Sequence, residues 1–200
     1  MIRFDTVDFT YKNGREPVLS ACSFTVPRGA RVRLAGPSGC GKTTVLRLIM
    51  GLERPRRGKV LLPAGATISA VFQEDRLIPS CTVFENVALF SDAERAARTL
   101  DALGLAEKKD AGISDLSGGM KRRTALARAL AHPSDILLLD EAFTGLDRET
   151  KENAIRITLQ EAAERTLISV THDDNEAALL CTETISLAGS REKEARKENF

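Results

Sequence analysis

The chain has 200 residues, a length that suits one domain or one domain with a small appended lobe. Hydrophobic residues make up 42% and charged residues 28%, which is typical of a soluble globular chain that can bury a core. The net charge of +1 excludes a whole-protein field that would attract nucleic acid or an acidic membrane surface. The sequence predicts neither a signal peptide nor a membrane span, so we expect a cytoplasmic protein whose four cysteines are reduced.

The N-terminal region is predicted to consist mainly of strands. Segments that alternate apolar and polar side chains, or that are short and apolar, predict strands at residues 2–11, 18–26, 31–36, 58–62 and 67–73. The segment KNGRE between the first two predicts a turn. A glycine-rich loop follows the third strand, and the segment TTVLRLIMGL then has helical spacing with a stop at Gly51.

The central region is predicted to be helical from about Thr82 to Leu105, with apolar residues on one face. Thr82 with Glu85, and Ser91 with Glu94, have the spacing of capping boxes ahead of apolar runs. These two pairs predict where helices begin.

A further helix opens at the glycine pair behind Ser117, and we interpret its basic run, Lys121–Arg123, as a solvated face rather than a nucleic-acid contact. The segment ILLLD that follows is almost fully apolar, as in a parallel strand covered on both faces. The remaining predicted elements are a helix at 148–164, a strand at 166–170, a helix within 171–180, a strand at 184–188 and a charged tail at 190–200.

This alternation of strands and helices predicts an α/β fold. We expect a mainly parallel sheet with helices, an N-terminal antiparallel β subdomain and a small inserted helical subdomain. Residues 1–200 are assigned to a single domain, in which about 1–80 and 133–190 form the core with its β subdomain, about 81–132 the helical subdomain and 190–200 the tail.

The glycine-rich loop, GPSGCGKT, matches the phosphate-loop pattern GxxxxGK[ST] in full. Glycine lets the backbone curl so that its N–H groups, with the positive end of the following helix, bind phosphate oxygens. Lys42 can reach the β- and γ-phosphates, and the Thr43 hydroxyl can ligate Mg²⁺. A turn that only caps a helix is the alternative, which the flanking strand and helix disfavour. The predicted phosphate-binding residues are Gly36, Pro37, Ser38, Gly39, Cys40, Gly41, Lys42, Thr43 and Thr44.

Two carboxylates end the apolar strand ILLLD. A buried strand that delivers Asp140 to the tip of a sheet is a usual arrangement for holding Mg²⁺, directly or through water. Glu141 could orient or deprotonate an attacking water. The alternative, a strand end that simply meets solvent, is disfavoured by the phosphate loop upstream.

The segment LSGG indicates a second anion site, because Ser117 can cap the following helix while Gly118 and Gly119 leave its amides bare. The alternative is a plain helix start with a glycine turn. If this helix end serves the same nucleotide as the phosphate loop, it would have to come from another copy of the protein.

In this order, from about Ile2 to Ala188, the motifs resemble the ATP-binding cassette (ABC) family of ATPases, specifically the nucleotide-binding subunit of an ABC transporter. The resemblance implies a P-loop NTPase core of RecA-like type. It gives catalytic roles to Glu141 as base, to Lys42, to Gln73 as sensor of the γ-phosphate and Mg²⁺, and to His172 as a γ-phosphate ligand. It implies that Tyr11 stacks on adenine and that Asp147, which ends the loop following the strand of Asp140, is one of the nucleotide-binding residues. A lone His or Tyr is otherwise more often a packing or surface residue.

The resemblance also implies a head-to-tail homodimer that closes on two ATP molecules with Mg²⁺. Further implied partners are transmembrane permease subunits and a solute-binding protein, which place the chain on the inner face of the cell membrane. The segments around Gln73 and Ser117 favour the subgroup that imports nitrate, sulfonates and taurine. A soluble ABC ATPase acting on DNA or ribosomes is the alternative, disfavoured by the single cassette and by the lack of a coiled-coil insertion. A small-molecule kinase would not explain LSGG.

Overall fold

The computed structural model describes residues 1–12, 14 and 16–187. The strands are β1 (Ile2–Phe9), β2 (Leu19–Val26), β3 (Arg31–Ala35), β4 (Arg57–Leu61), β5 (Ile68–Val71), β6 (Ile136–Asp140), β7 (Thr166–Val170) and β8 (Glu183–Ser186). The helices are α1 (Lys42–Ile49), α2 (Val83–Ala88), α3 (Ala93–Ala102), α4 (Gly118–Ala131), α5 (Arg148–Glu161) and α6 (Asp174–Leu180). Over these described residues, no helix is long and apolar enough to cross a membrane.

The larger sheet is parallel throughout and has the strand order β5-β6-β7-β3-β8. Every residue of β6 and β7 is buried, which explains the apolar run in β6. The register places Val71 opposite Leu139 and Asp140 opposite Val170, so these strands end at nearly the same level. The loops after β3, β5, β6 and β7 therefore meet at one edge of the sheet.

The smaller sheet is antiparallel and has the order β2-β1-β4. Phe4, Val7 and Phe9 of β1 are buried in the same apolar core as Val45 and Ile49 of α1. This core holds the antiparallel sheet against the parallel one and fixes the start of α1. The predicted α/β fold with an N-terminal antiparallel subdomain is confirmed.

Helices α2, α3 and α4 pack together beside the parallel sheet. Thr82 caps α2 in the predicted capping box with Glu85. The second predicted box is wrong: Asp92, not Ser91, caps α3 by accepting a hydrogen bond from the Arg95 N–H. Glu94 then stands at the second helical position, so the reciprocal bond of a capping box cannot form.

The predicted division into a core at 1–80 and 133–190 and a helical subdomain at 81–132 stays a prediction. The charged tail at 190–200 and the end of the resemblance at Ala188 lie outside the described residues.

Candidate functional site

A cavity of about 300 Å³ lies at the edge where β3, β5, β6 and β7 end. Each of these strands contributes a loop that carries a predicted site residue. The lining residues are Tyr11, Val18, Ser38, Gly39, Gly41, Lys42, Thr43, Thr44, Gln73, Asp140, Glu141, Val170 and His172. The structure thus brings together residues that are far apart in the sequence.

The phosphate loop needs glycine at two positions for steric reasons. Gly41, which precedes α1, has a φ of 100°, and a Cβ there would lie 2.7 Å from Leu19 Cδ2. Gly36 has a φ of 148°, and its Cβ would lie 2.6 Å from Cys40 Sγ. No side chain caps α1, so its first N–H groups stay available to an anion.

Lys42 is the cation of this loop and is only 8% exposed. Its Nζ donates to the carbonyl oxygens of Gly36 (2.8 Å) and Pro37 (3.1 Å). These bonds curl the side chain back over the loop and hold its charge where phosphate oxygens would bind.

The Thr43 hydroxyl donates to Asp140 Oδ2 at 2.9 Å. Asp140 is almost fully buried, and this burial raises the pKa of its carboxyl, with the Thr43 hydrogen bond opposing the change. Among the described residues, no cluster of three or more His, Cys, Asp or Glu could hold a metal ion. A hydroxyl and one carboxylate nevertheless fit Mg²⁺, which commonly takes few protein oxygens and completes its shell with substrate phosphates and water.

Glu141 has an unusual backbone, with a φ of 51° in the left-handed region. This conformation costs a non-glycine residue about 1–2 kcal/mol. It is held by hydrogen bonds from the Glu141 N–H to the Val170 carbonyl (2.9 Å) and from the Thr144 N–H to the Glu141 carbonyl (3.2 Å). In this conformation Glu141 Oε1 lies 3.5 Å from His172 Nε2.

Tyr11 and Gln73 line the same cavity. The Tyr11 hydroxyl is hydrogen-bonded to the Thr44 hydroxyl at 3.0 Å, and its ring meets Phe9 edge-on. These contacts fix the Tyr11 ring beside the phosphate loop. Gln73 lies in the loop that follows β5, and its side chain is exposed.

Of the predicted phosphate-loop residues, Gly36, Pro37 and Cys40 do not line the cavity. The predicted binding residues outside that loop, Ser117, Gly118, Gly119 and Asp147, do not line it either, and we call these four the signature face. Ser117 caps α4 as predicted by accepting a hydrogen bond from the Met120 N–H. Asp147 caps α5, and the hydrogen bond from the Thr150 N–H lowers the pKa of its carboxyl. The two segments adjoin, because a Cβ on Gly119 would lie 3.7 Å from Leu146 Cδ2.

One residue beside the site was missed. Arg122 is only 5% exposed, so the interpretation of its basic run as a solvated face is wrong for this residue. Helical spacing could have placed it correctly, since Leu126 and Ala129, four and seven residues on, share the buried face of α4.

Comparisons with known proteins identify the family of the chain. A family model described as "ABC transporter" matches residues 19–144. An aliphatic sulfonates import ATP-binding protein of Rhodococcus jostii is 41% identical over 195 residues, with 94% of this chain and 80% of that protein covered. A taurine import ATP-binding protein of Pseudomonas aeruginosa is 34% identical over 201 residues, with 92% and 76% covered.

A solved structure has the same architecture. It is a dimer of the ATP-binding cassette MJ0796 in a post-hydrolysis state, bound to ADP and Pi. It superposes with a TM-score of 0.85 at 31% identity and covers 96% of this chain and 97% of its own.

Proposed function

Because the chain belongs to the ABC transporter family, we propose that its cavity binds and hydrolyses ATP and that this hydrolysis drives a membrane permease for small-solute import. The resemblance predicted from the motifs is confirmed by the family match and by the sulfonate relative. The observation that carries the proposed chemistry is the meeting of Lys42, Asp140 and Glu141 in one cavity.

The chain's own groups supply the steps of hydrolysis. Lys42 and the amides of the phosphate loop bind the phosphate oxygens of ATP. Thr43, Asp140 and Gln73 would hold Mg²⁺, which neutralises charge on the β- and γ-phosphates when bound. Glu141 accepts the proton of the attacking water, and His172 donates a hydrogen bond to the γ-phosphate.

The signature face is proposed to complete the site of a second protomer. Ser117 and Gly118 are exposed and present the N-terminus of α4 to solvent rather than to their own cavity. A head-to-tail homodimer would bring these amides, with Asp147, to the ATP held by the other copy. The dimeric state of the MJ0796 cassette supports this arrangement.

An apolar groove of about 380 Å³ is the proposed contact for the permease. Leu52 and Phe90 line it and are 54% and 64% exposed, so together they present apolar surface that a partner could cover. Phe72, next to Gln73, lies in the same groove. A partner bound there would sense movement of the loop that follows β5 and carries Gln73, which we call the Gln73 loop.

The two import relatives favour a small organic sulfonate as the imported solute. We further propose that a solute-binding protein delivers this solute to the permease. The permease would hold the chain on the cytoplasmic face of the membrane. The alternative, a soluble ABC ATPase acting on nucleic acid or ribosomes, predicts that no multi-span partner is found.

Hydrolysis is tested with Glu141→Gln, which keeps the shape of the side chain but removes its basicity. We expect single-turnover hydrolysis of Mg²⁺-ATP to fall about 10²–10⁴-fold while ATP binding is kept. The variant should also accumulate as an ATP-bound dimer in size-exclusion chromatography. Hydrolysis at the wild-type rate would rule out the proposed role of Glu141.

The permease is tested by co-purification of the tagged chain from gently solubilised membranes of its source cells, with mass spectrometry of the partners. Leu52→Asp should lose a multi-span partner that the wild type recovers. Leu179→Asp is the matched control, because Leu179 is also 54% exposed but does not line the groove. Recovery of ribosomes or DNA alone with the wild type would favour the soluble alternative.

A further inference from the structure

Arg122 lies in the middle of the site's supporting structure without lining the cavity itself. Its Nη1 donates to the carbonyl oxygens of Phe72 (2.6 Å) and Gln73 (3.3 Å) and contacts Asp75 Oδ1 at 3.1 Å. One edge of the guanidinium therefore holds the backbone of the Gln73 loop to helix α4.

The other edge of the same guanidinium holds the end of β6. Arg122 Nη2 donates to the carbonyl oxygen of Asp140 at 3.2 Å and to that of Glu141. The bond to the Glu141 carbonyl is important because the Glu141 backbone is in the left-handed region. Together with the hydrogen bonds to Val170 and from Thr144, it holds Glu141 in place. The direction of the Glu141 carboxylate follows from this backbone.

We propose that Arg122 is a positioning residue for ATP hydrolysis, which fixes the backbone of Glu141 and ties it to the Gln73 loop and to α4. This inference rests on the proposed role of Glu141 as the base. Arg122 makes no hydrogen bond with the phosphate loop, and its bonds at Asp140 and Gln73 are with main-chain carbonyls rather than with the side chains that would hold Mg²⁺. We therefore expect it to act mainly on the rate of the chemical step and much less on ATP affinity.

The position of Arg122 on α4 gives this contact a second consequence. Arg122 follows Ser117 by little more than one helical turn, on the helix whose N-terminus belongs to the signature face. A shift of α4 when that face meets a second protomer would move the Arg122 guanidinium, and with it the carbonyls of Gln73 and Glu141.

Only a guanidinium suits these acceptors. Its planar fork presents separate N–H groups to the Gln73 loop and to the end of β6, whereas a lysine ammonium is a single point charge. Arg122→Lys therefore keeps the charge but cannot hold both loops.

The test measures ATP affinity and single-turnover hydrolysis of the purified full chain with Mg²⁺-ATP. For Arg122→Lys we expect the hydrolysis rate to fall about 10–100-fold, because a small misplacement of a catalytic group has a large effect, while the ATP Kd changes less than about twofold. The matched control is Arg123→Lys, since Arg123 donates to the Leu103 and Gly104 carbonyls within the helical layer. This control should hydrolyse ATP at the wild-type rate.

A double-mutant cycle shows whether Arg122 acts through Glu141. In the Glu141→Gln background, Arg122→Lys should change the residual rate less than about twofold, because the base is already absent. Equal fold losses in both backgrounds, an unchanged rate for Arg122→Lys, or an equal loss for Arg123→Lys would overturn the inference.

Thermal unfolding of each variant without nucleotide identifies a loss of folding. If Arg122→Lys does not fold, Arg122→Gln, which buries no charge, takes its place with the same expected results. Wild-type hydrolysis by Glu141→Gln would overturn both the role of Glu141 and this inference. If Glu141→Gln loses hydrolysis but the Arg122 variant hydrolyses ATP at the wild-type rate, this inference alone would be overturned.

Discussion

Two helix N-termini in this chain can each offer backbone N–H groups to an anion, but one opens into a cavity and the other faces solvent. The N-terminus of α1 follows Gly41, has no side-chain cap and opens into the cavity. The N-terminus of α4 follows Ser117, which caps it, and faces solvent. The first is completed by the chain's own Lys42, whereas the second is exposed and does not line the same cavity.

The glycines of the two sites show what the difference means. A Cβ at Gly41 would meet Leu19 within the same chain, and the backbone there is left-handed. A Cβ at Gly118 would meet nothing within 4 Å. Glycine is therefore needed at position 41 because of contacts within the chain. Any need for glycine at position 118 must come from contacts with another molecule.

The largest effect on this comparison is expected from Lys42→Ala. Removing the buried cation of the loop should lower ATP affinity about 100-fold, since charge-assisted hydrogen bonds to phosphate are each worth about 1.5–3 kcal/mol. Lys121→Ala, on the first turns of α4, should leave ATP binding by the isolated protomer unchanged. Titration with a fluorescent ATP analogue measures both. Equal losses would mean that the two helix ends are equivalent within one chain.

A smaller effect is expected from alanine at the two glycines. Gly41→Ala should lower both ATP affinity and the free energy of unfolding, the latter by about 1–2 kcal/mol from the left-handed backbone alone. Gly118→Ala should raise the free energy of unfolding by roughly 0.5–1 kcal/mol, because alanine favours a helix.

The same Gly118→Ala variant should weaken the ATP-dependent dimer about tenfold, or roughly 1.4 kcal/mol, because its methyl group stands where the partner's nucleotide would approach. Urea unfolding measures the effect of Gly118→Ala on stability. Analytical ultracentrifugation of Gly118→Ala combined with Glu141→Gln measures its effect on the ATP-dependent dimer. An unchanged dimer would place the partner's contact elsewhere on the surface.

The smallest effects concern one carboxylate in each region, Asp140 and Asp147, whose pKa values are shifted in opposite directions. Burial raises the pKa of Asp140, so its ionised form destabilises the fold above the ordinary value of 3.8. Hydrogen bonding from Thr150 lowers the pKa of Asp147, so its ionised form stabilises the fold above that value and stops doing so as pH falls.

At pH 7, without Mg²⁺ or nucleotide, Asp140→Asn should therefore raise the urea midpoint by roughly 0.3 M. Asp147→Asn should lower it by less, because asparagine is nearly as good a cap and only the charge is lost. The Asp140 difference should close below pH 3.8, where its carboxyl is protonated in both the folded and the unfolded chain, whereas the Asp147 difference should close only at still lower pH, as its lowered native-state pKa is passed. A difference that persists at low pH would indicate packing rather than charge.

Most of the cavity could be predicted from the sequence because its residues follow short, buried parallel strands. ILLLD is apolar on both faces, and this pattern is enough to place Asp140 at the edge of a sheet. The phosphate loop could also be predicted from a short pattern, because its glycines and Lys42 lie within residues 36–42. What brings them together is the strand order β5-β6-β7-β3, which is seen in the folded sheet and follows from no local pattern.

Other features depended on contacts that no short pattern records. The left-handed backbone of Glu141 is stabilised by Val170, on the neighbouring strand, and by Arg122 on α4. Arg122 itself belongs to a basic run whose other two members are partly exposed, so its charge suggested solvent while its helical position implied burial. In the case of Asp92, a one-residue shift of the helix start decided which side chain became the cap.

The partners of Arg122 in the Gln73 loop and at the end of β6 include four main-chain carbonyl oxygens. Every amino acid carries such an oxygen, so Phe72 and Gln73 could be replaced during evolution without removing the acceptors. The contact therefore depends on the path of the chain rather than on the side chains along it. Insertions or deletions in the Gln73 loop would break this contact more readily than substitutions of Phe72 or Gln73.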